Sequence, residues 1–158
     1  MPDSGENNGS LLGFDFGEGQ LGIAVGYLET GMTHPLTTLK VKHDQPNWDE
    51  VQALINEWKP YCLVVGFPVD MDGSEIEMTK KAIKFGNRLN GRYNLPVHMV
   101  DERLTTRIAS SALAETGLKS KKHRTVIDQL AAQYILQTYI TDQKNNNRTG
   151  EPPLEPEH

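Results

Sequence analysis

Apolar residues fall first into short runs and later into longer periodic stretches. Leu11-Leu12-Gly13-Phe14-Asp15-Phe16-Gly17 is an apolar run interrupted by one carboxylate, and Leu21-Gly22-Ile23-Ala24-Val25-Gly26-Tyr27 follows three residues later. Two such runs parted by a short glycine-containing turn predict a β-hairpin. His34–Val41 alternates apolar with polar and predicts a third strand, whose Pro35 suits an edge. The period then changes. Val51, Leu54, Ile55 and Trp58 share one helical face, behind Asn47 as a cap and ahead of Pro60 as a stop. Tyr61–Gly66 is continuously apolar, as a strand covered on both faces is. The stretch 66–73 is dense in turn residues, and a helix is predicted from about Glu75 to Asn90. Leu95–Val100 predicts a fifth strand running into Asp101-Glu102-Arg103. A helix follows from Thr105 or Thr106 to about Glu115, closed by Gly117. The last helix, about Lys122 to Ile140, should carry Ile127, Leu130, Ala131, Tyr134 and Ile135 inward.

This order predicts an α/β fold: a mixed five-stranded sheet, three antiparallel strands then two parallel ones, with helices on both faces. If strands one, four and five are parallel, their carboxyl ends share the edge where such sheets bind ligands. Asp15, the 66–73 loop and Glu102 meet there. The domain is expected over residues 11–140, between a disordered tail (1–10) and a flexible acidic tail (141–158).

Composition narrows the class. A chain of 158 residues suffices for one domain with a core. No run of about 20 apolar residues exists, so no membrane span is expected. The polar, acidic start lacks the basic and apolar segments of a secretory signal. A lone Cys62 forbids an internal disulfide and fits a reducing compartment, so a cytoplasmic location is expected. The formal charge of −5 argues mildly against nucleic acid as a partner. Much of it, however, lies in the two tails, while cations cluster in Lys119-Ser120-Lys121-Lys122-His123-Arg124 near Arg103 and Arg107.

The chemistry centres on acids. An ionised carboxylate inside an apolar strand is costly unless it is paired or binds a cation, so Asp15 is a candidate ligand at the rim of the sheet. Glu102, ending strand five, and Asp128, in the first turns of the last helix, could complete a site for divalent ions of the kind used in phosphoryl transfer. Asp128 shares a helical face with Ala131, Ala132 and Ile135, small enough to let the helix approach the sheet. Plainer roles compete: a turn aspartate for Asp15, an ion pair with Arg103 or Arg107 for Glu102, a helix-start acid for Asp128. Asp101 and Glu102 are adjacent and should face opposite sides of the strand; Glu102 is favoured, and a bulge would reverse that. Asp70 and Asp72 read as turn residues, and His98 as a core histidine. No His or Cys pair has zinc spacing. As phosphate contacts we single out Lys121, Lys122 and Arg124 of the basic stretch, Arg103, and Thr105 and Thr106, which can cap a helix and expose backbone N–H groups.

With these residues in hand, the sequence resembles the YqgF family over roughly residues 11–140. The resemblance rests on Gly13-Phe14-Asp15-Phe16-Gly17 with Gly22-Ile23-Ala24-Val25, on Val65-Gly66-Phe67-Pro68 with Met71-Asp72-Gly73, on Asp101-Glu102-Arg103-Leu104-Thr105-Thr106, and on Val126-Ile127-Asp128 before Ala131-Ala132. It implies an RNase H-like fold and a cytoplasmic hydrolase that processes the 5′ end of pre-16S rRNA in ribosome biogenesis, or a Holliday junction-type DNA resolvase. It maps the family's metal-binding acids onto Asp15, Glu102 and Asp128, with Mg²⁺ or Mn²⁺ as cofactor. Nucleic acid, and through it ribosomal particles, would be the partners of a monomer or weak homodimer. Two positions depart from the family pattern: Glu18-Gly19-Gln20 stands where basic residues are usual, and Asp70 where asparagine is common. A nucleotide-binding hairpin of the actin-like kind is the competing enzyme class, but that architecture needs two domains. A non-catalytic assembly factor on the same fold is the competing non-enzyme.

Overall fold

The structure, a computed structural model, describes residues 9–70, 72–102 and 121–149; side chains of the last stretch are described for 127–145. Six strands form one sheet: β1 (Ser10–Phe16), β2 (Gln20–Tyr27), β3 (Thr33–Lys42), β4 (Gln45–Pro46), β5 (Cys62–Phe67) and β6 (Val97–Asp101), in the order β4-β3-β2-β1-β5-β6. The pairs β1–β2 and β2–β3 are antiparallel, while β5 runs parallel to β1 and β6 parallel to β5. The mixed topology is the one expected, with one strand more than the five predicted. β4 pairs only two residues with the end of β3. His43 and Asp44 make its turn with φ of 54° and 64°. That left-handed turn is usually signalled by glycine, and no glycine stands here.

Strand alternation divides the core. Leu12, Phe14 and Phe16 of β1, with Leu21, Ile23, Leu63 and Val65, face α1 (Trp48–Trp58) and α2 (Glu77–Tyr93). Phe85 of α2 is the hub there, stacked 4.8 Å from Phe16 and 5.8 Å from Trp48, and edge-on to Phe14. Asn47 caps α1 through the Asp49 N–H at 2.9 Å, and Ser10 Oγ donates to the Trp58 carbonyl at 2.8 Å, fastening the far end of α1 to β1. The other face carries Leu11, Ala24, Cys62 and Val64, and against it lies α3 (Lys121–Thr149), which buries Ala132, Ile135, Leu136, Tyr139 and Ile140. Of the inward residues predicted, Ala131 and Ile135 are fully buried; Ile127, Leu130 and Tyr134 are only partly so.

α3 continues nine residues beyond the expected end at Ile140, into the stretch predicted as a flexible tail. The physical reason is in the sequence: after Ile140 the first residue that breaks a helix is Gly150, with Pro152 and Pro153 behind it. The predicted tail 1–8 and the helix predicted from Thr105 or Thr106 to Glu115 lie outside the described residues. No helix among the described residues is long and apolar enough to cross a membrane.

Candidate active site

Asp15 is the next-to-last residue of β1, on the face that α3 covers, two residues beyond Gly13 and four beyond Leu11. Its register partners are Gly22 on β2 and Gly66 on β5. The aspartate thus stands in a cross-strand row with a glycine on either side, and each glycine makes room for another acid. A Cβ on Gly22 would overlap the backbone carbonyl of Asp128, and one on Gly66 would come within 2.8 Å of Glu102 Cγ and overlap Ile135. A third glycine, Gly13, admits Leu136 and the Ala132 carbonyl to the sheet in the same way. Glycine inside a strand marks such close approach of backbone. Here it lowers α3 onto β1 and β2 and sets Asp128 beside Asp15.

Glu102 follows the end of β6, and its N–H donates to the Phe67 carbonyl at 3.0 Å, so the ladder holds one residue past the strand. Val100 packs with the α3-side core. Alternation therefore brings Glu102 to the same side, and Asp101, the register partner of Phe67, to the other. Glu102 is 5% exposed. Its carboxyl and that of Asp15 share a hydrogen bond.

The electrostatics follow from crowding. Burial pushes the Asp15 carboxyl well above the usual carboxylate range, and the charge and hydrogen bond of Glu102 push it the same way. Burial, then the charge of Asp15, pushes Asp128 up to about 7. Burial and the neighbouring carboxyl thus both work against the ionised form of Asp15, a cost that a bound cation would relieve. Among the described residues no three acidic, histidine or cysteine side chains converge closely enough to ligate one ion as they stand. Asp15 and Glu102 touch, and Asp128 is coupled to Asp15 through its charge. An all-carboxylate donor set, crowded on one face of the sheet, fits a hard divalent cation such as Mg²⁺ or Mn²⁺.

The other expected site residues divide. Lys121, Lys122 and Arg124 lie in the first turn of α3 by their backbones, on the helix that carries Asp128. Arg103, Thr105 and Thr106 lie outside the described residues. Asp72 is the turn residue expected, its Oδ1 accepting from the Ser74 N–H at 2.9 Å. His98 is partly buried, its ring 4.8 Å from that of Tyr139. What the sequence reading missed is the glycine row. Its signal was present, since Gly22 interrupts an apolar strand and Gly66 ends another. The reading missed Thr79 as well. Its Oγ1 donates to the Pro68 carbonyl and accepts from the Ile76 N–H at 3.0 Å, tying the loop after β5 to the start of α2.

A mixed sheet of this order, with acids at the carboxyl ends of its parallel strands and on the helix crossing them, defines an RNase H-like protein of the resolvase class. The chain belongs to the RuvX Holliday junction resolvase family, also called YqgF, which it matches over residues 9–142. A relative from Nitrosomonas europaea, named "Putative pre-16S rRNA nuclease", is 46% identical over 141 residues, spanning 89% of this chain and 95% of its own. One of the same name from Neisseria gonorrhoeae is 47% identical over 132 residues, 84% of this chain and 87% of its own. Among solved structures, Thermus thermophilus RuvC in complex with a Holliday junction substrate has the same fold, with a TM-score of 0.51 at 16% identity over 87% of this chain and 97% of that one.

Proposed function

We propose that this protein is a divalent-metal-dependent nuclease that hydrolyses phosphodiester bonds at the 5′ end of pre-16S rRNA, in the cytoplasm, as a monomer or weak homodimer. The observation that carries the reading is the trio of buried or partly buried acids, Asp15, Glu102 and Asp128, gathered around a glycine row. Family membership and the name shared by full-length relatives support RNA as the substrate.

Asp15, Glu102 and Asp128 would hold Mg²⁺ or Mn²⁺. Such ions activate water and stabilise the departing oxygen of a phosphodiester. The chain supplies the rest. Asp15 and Glu102 would both offer carboxylate oxygens from a paired ladder, which holds their backbones in place. Lys121, Lys122 and Arg124 at the start of α3, with Arg103, Thr105 and Thr106, would hold the phosphates on either side of the cleaved bond. A branched DNA junction is the second substrate to test, favoured by the family's description.

The test is cleavage of a 5′-extended 16S leader RNA and of a four-way DNA junction by wild type and Asp15→Asn. Asn keeps the shape and removes the charge. The variant should fold and lose at least about 10³-fold in rate, the scale of removing one electrostatic stabiliser. Cleavage at the wild-type rate would overturn the assignment. Preference for the junction would move the substrate from RNA to DNA.

A further inference from the structure

Away from the acids, the exposed side of α2 and the β3–β4 turn enclose a cavity of about 350 Å³ lined by His43, Asp44, Glu77, Lys80, Lys81, Lys84 and Arg88. Four cations face two carboxylates here, on a chain whose total charge is −5. Among the described residues, Lys81 is the one of the four in an ion pair, 3.2 Å from Asp44. Arg88 Nη1 donates to the Asp44 carbonyl at 3.4 Å. Lys80 and Lys84 are exposed. Lys80, Lys84 and Arg88 stand four residues apart in a single row. Lys84 has cations three and four residues before it, Lys81 and Lys80, and Arg88 four residues after it. Like charges at this spacing repel along a helix, with Glu77 the acid one turn before them.

Its position gives it a use. β3 runs in the direction of β1, so the β3–β4 turn emerges at the edge where Asp15 ends β1. The Val41 N–H donates to the Gly19 carbonyl at 3.0 Å, joining that end of β3 to the turn that follows Asp15. Glu18 of the same turn is near enough for Lys81 to feel its charge. α2 starts from the loop that leaves β5 beside Gly66. The basic row therefore borders the carboxylate edge, on the side of the sheet opposite α3.

We propose that Lys80, Lys84 and Arg88 form a second phosphate-binding track, which holds the nucleic-acid backbone as it leaves the carboxylate edge and passes over α2. The inference rests on the nuclease reading above and deepens it, giving the substrate a path on the α2 side as well as along α3. Lys81 is held by Asp44 and serves to shape the turn. Phosphate contacts of this kind fix the register of the substrate without reading its bases.

The test is a charge-matched pair of double variants in the Asp15→Asn background, with affinity for a 5′-labelled single-stranded leader RNA read by fluorescence anisotropy across salt concentrations. Lys80→Gln/Lys84→Gln removes two cations from the track. Lys59→Gln/Lys144→Gln removes two from the opposite edge, where Lys59 ends α1 and Lys144 lies beside Gly31. The first pair should weaken binding by about tenfold and flatten the slope of log affinity against log salt by about 1.4, at roughly 0.7 per phosphate contact on a single strand. The second should change affinity by less than about twofold. Equal effects of the two pairs, or no effect of the first, would overturn the track and leave the nuclease reading intact. Failure of the parent to bind RNA would overturn the track, and cleavage by the Asp15→Asn parent at the wild-type rate would overturn the nuclease reading by itself.

Discussion

Asp128 sits where its charge costs the fold stability. Its carboxyl is pushed from an ordinary 3.8 up to about 7 by burial and by Asp15, and Asp15 is raised in turn by burial and by Glu102. A raised carboxyl binds its proton more tightly in the folded protein than in the unfolded chain. Its favourable contribution is therefore complete below the unfolded value near 3.8 and is lost as pH rises to about 7. We expect metal-free wild type to lose thermal stability relative to Asp128→Asn over that window, with the variant the more stable at pH 8. Mg²⁺ should reverse the order at pH 8 and do little at pH 5. Melting curves in EDTA and in Mg²⁺ at both pH values check this; a difference between the two proteins that stays constant with pH would contradict it. At this scale the acids were legible in the sequence, because a carboxylate in an apolar strand or on a small-residue helical face calls for an explanation. The sequence favoured Glu102 over Asp101, and the register of β6 against β5 turns Glu102 to the side of Asp15.

At the scale of elements, the fit of α3 on the sheet decides whether the acids meet. Helix and sheet pack closely here because Gly13, Gly22 and Gly66 carry no side chain where Leu136, Asp128 and Ile135 arrive. A methyl on Gly22 meets backbone, which cannot swing aside as a side-chain tip can. Gly22→Ala should cost about 1–3 kcal/mol, the usual range for overpacking, and should lower cleavage further than the stability loss explains, because Asp128 is displaced from Asp15. Gly91→Ala is the matched control. Gly91 lies in α2 with nothing within 4 Å of an added methyl, so alanine there should stabilise by about 0.5–1 kcal/mol and leave cleavage unchanged. Chemical denaturation and single-turnover rates separate the two. The five predicted strands, and the three predicted helices that fall among the described residues, were legible because their periodicity is strong. The short β4 was not, since a left-handed His43-Asp44 turn carries no glycine signal. The far end of α3 was not either, since polar residues between Ile140 and Gly150 give no periodicity although each tolerates a helix.

The whole molecule divides its labour between the two faces of one sheet. The α1–α2 face carries an aromatic core around Phe85. The α3 face gives up side-chain volume at three glycines to seat the acids. Net charge hides local contrasts because it averages acidic ends with basic clusters: the 119–124 stretch of the sequence, and the α2 row that lines a cavity with the β3–β4 turn.

The account depends on Asp15, Glu102 and Asp128 sharing one divalent cation. Anomalous diffraction from crystals grown with Mn²⁺ tests this most directly. We expect a peak beside the Gly22–Asp15–Gly66 row, about 2.1 Å from carboxylate oxygens of Asp15 and Glu102, as for a hard octahedral cation, with Asp128 drawn into the same sphere. A peak held by other residues, or Asp15 and Glu102 still sharing their hydrogen bond in saturating Mn²⁺, would contradict it.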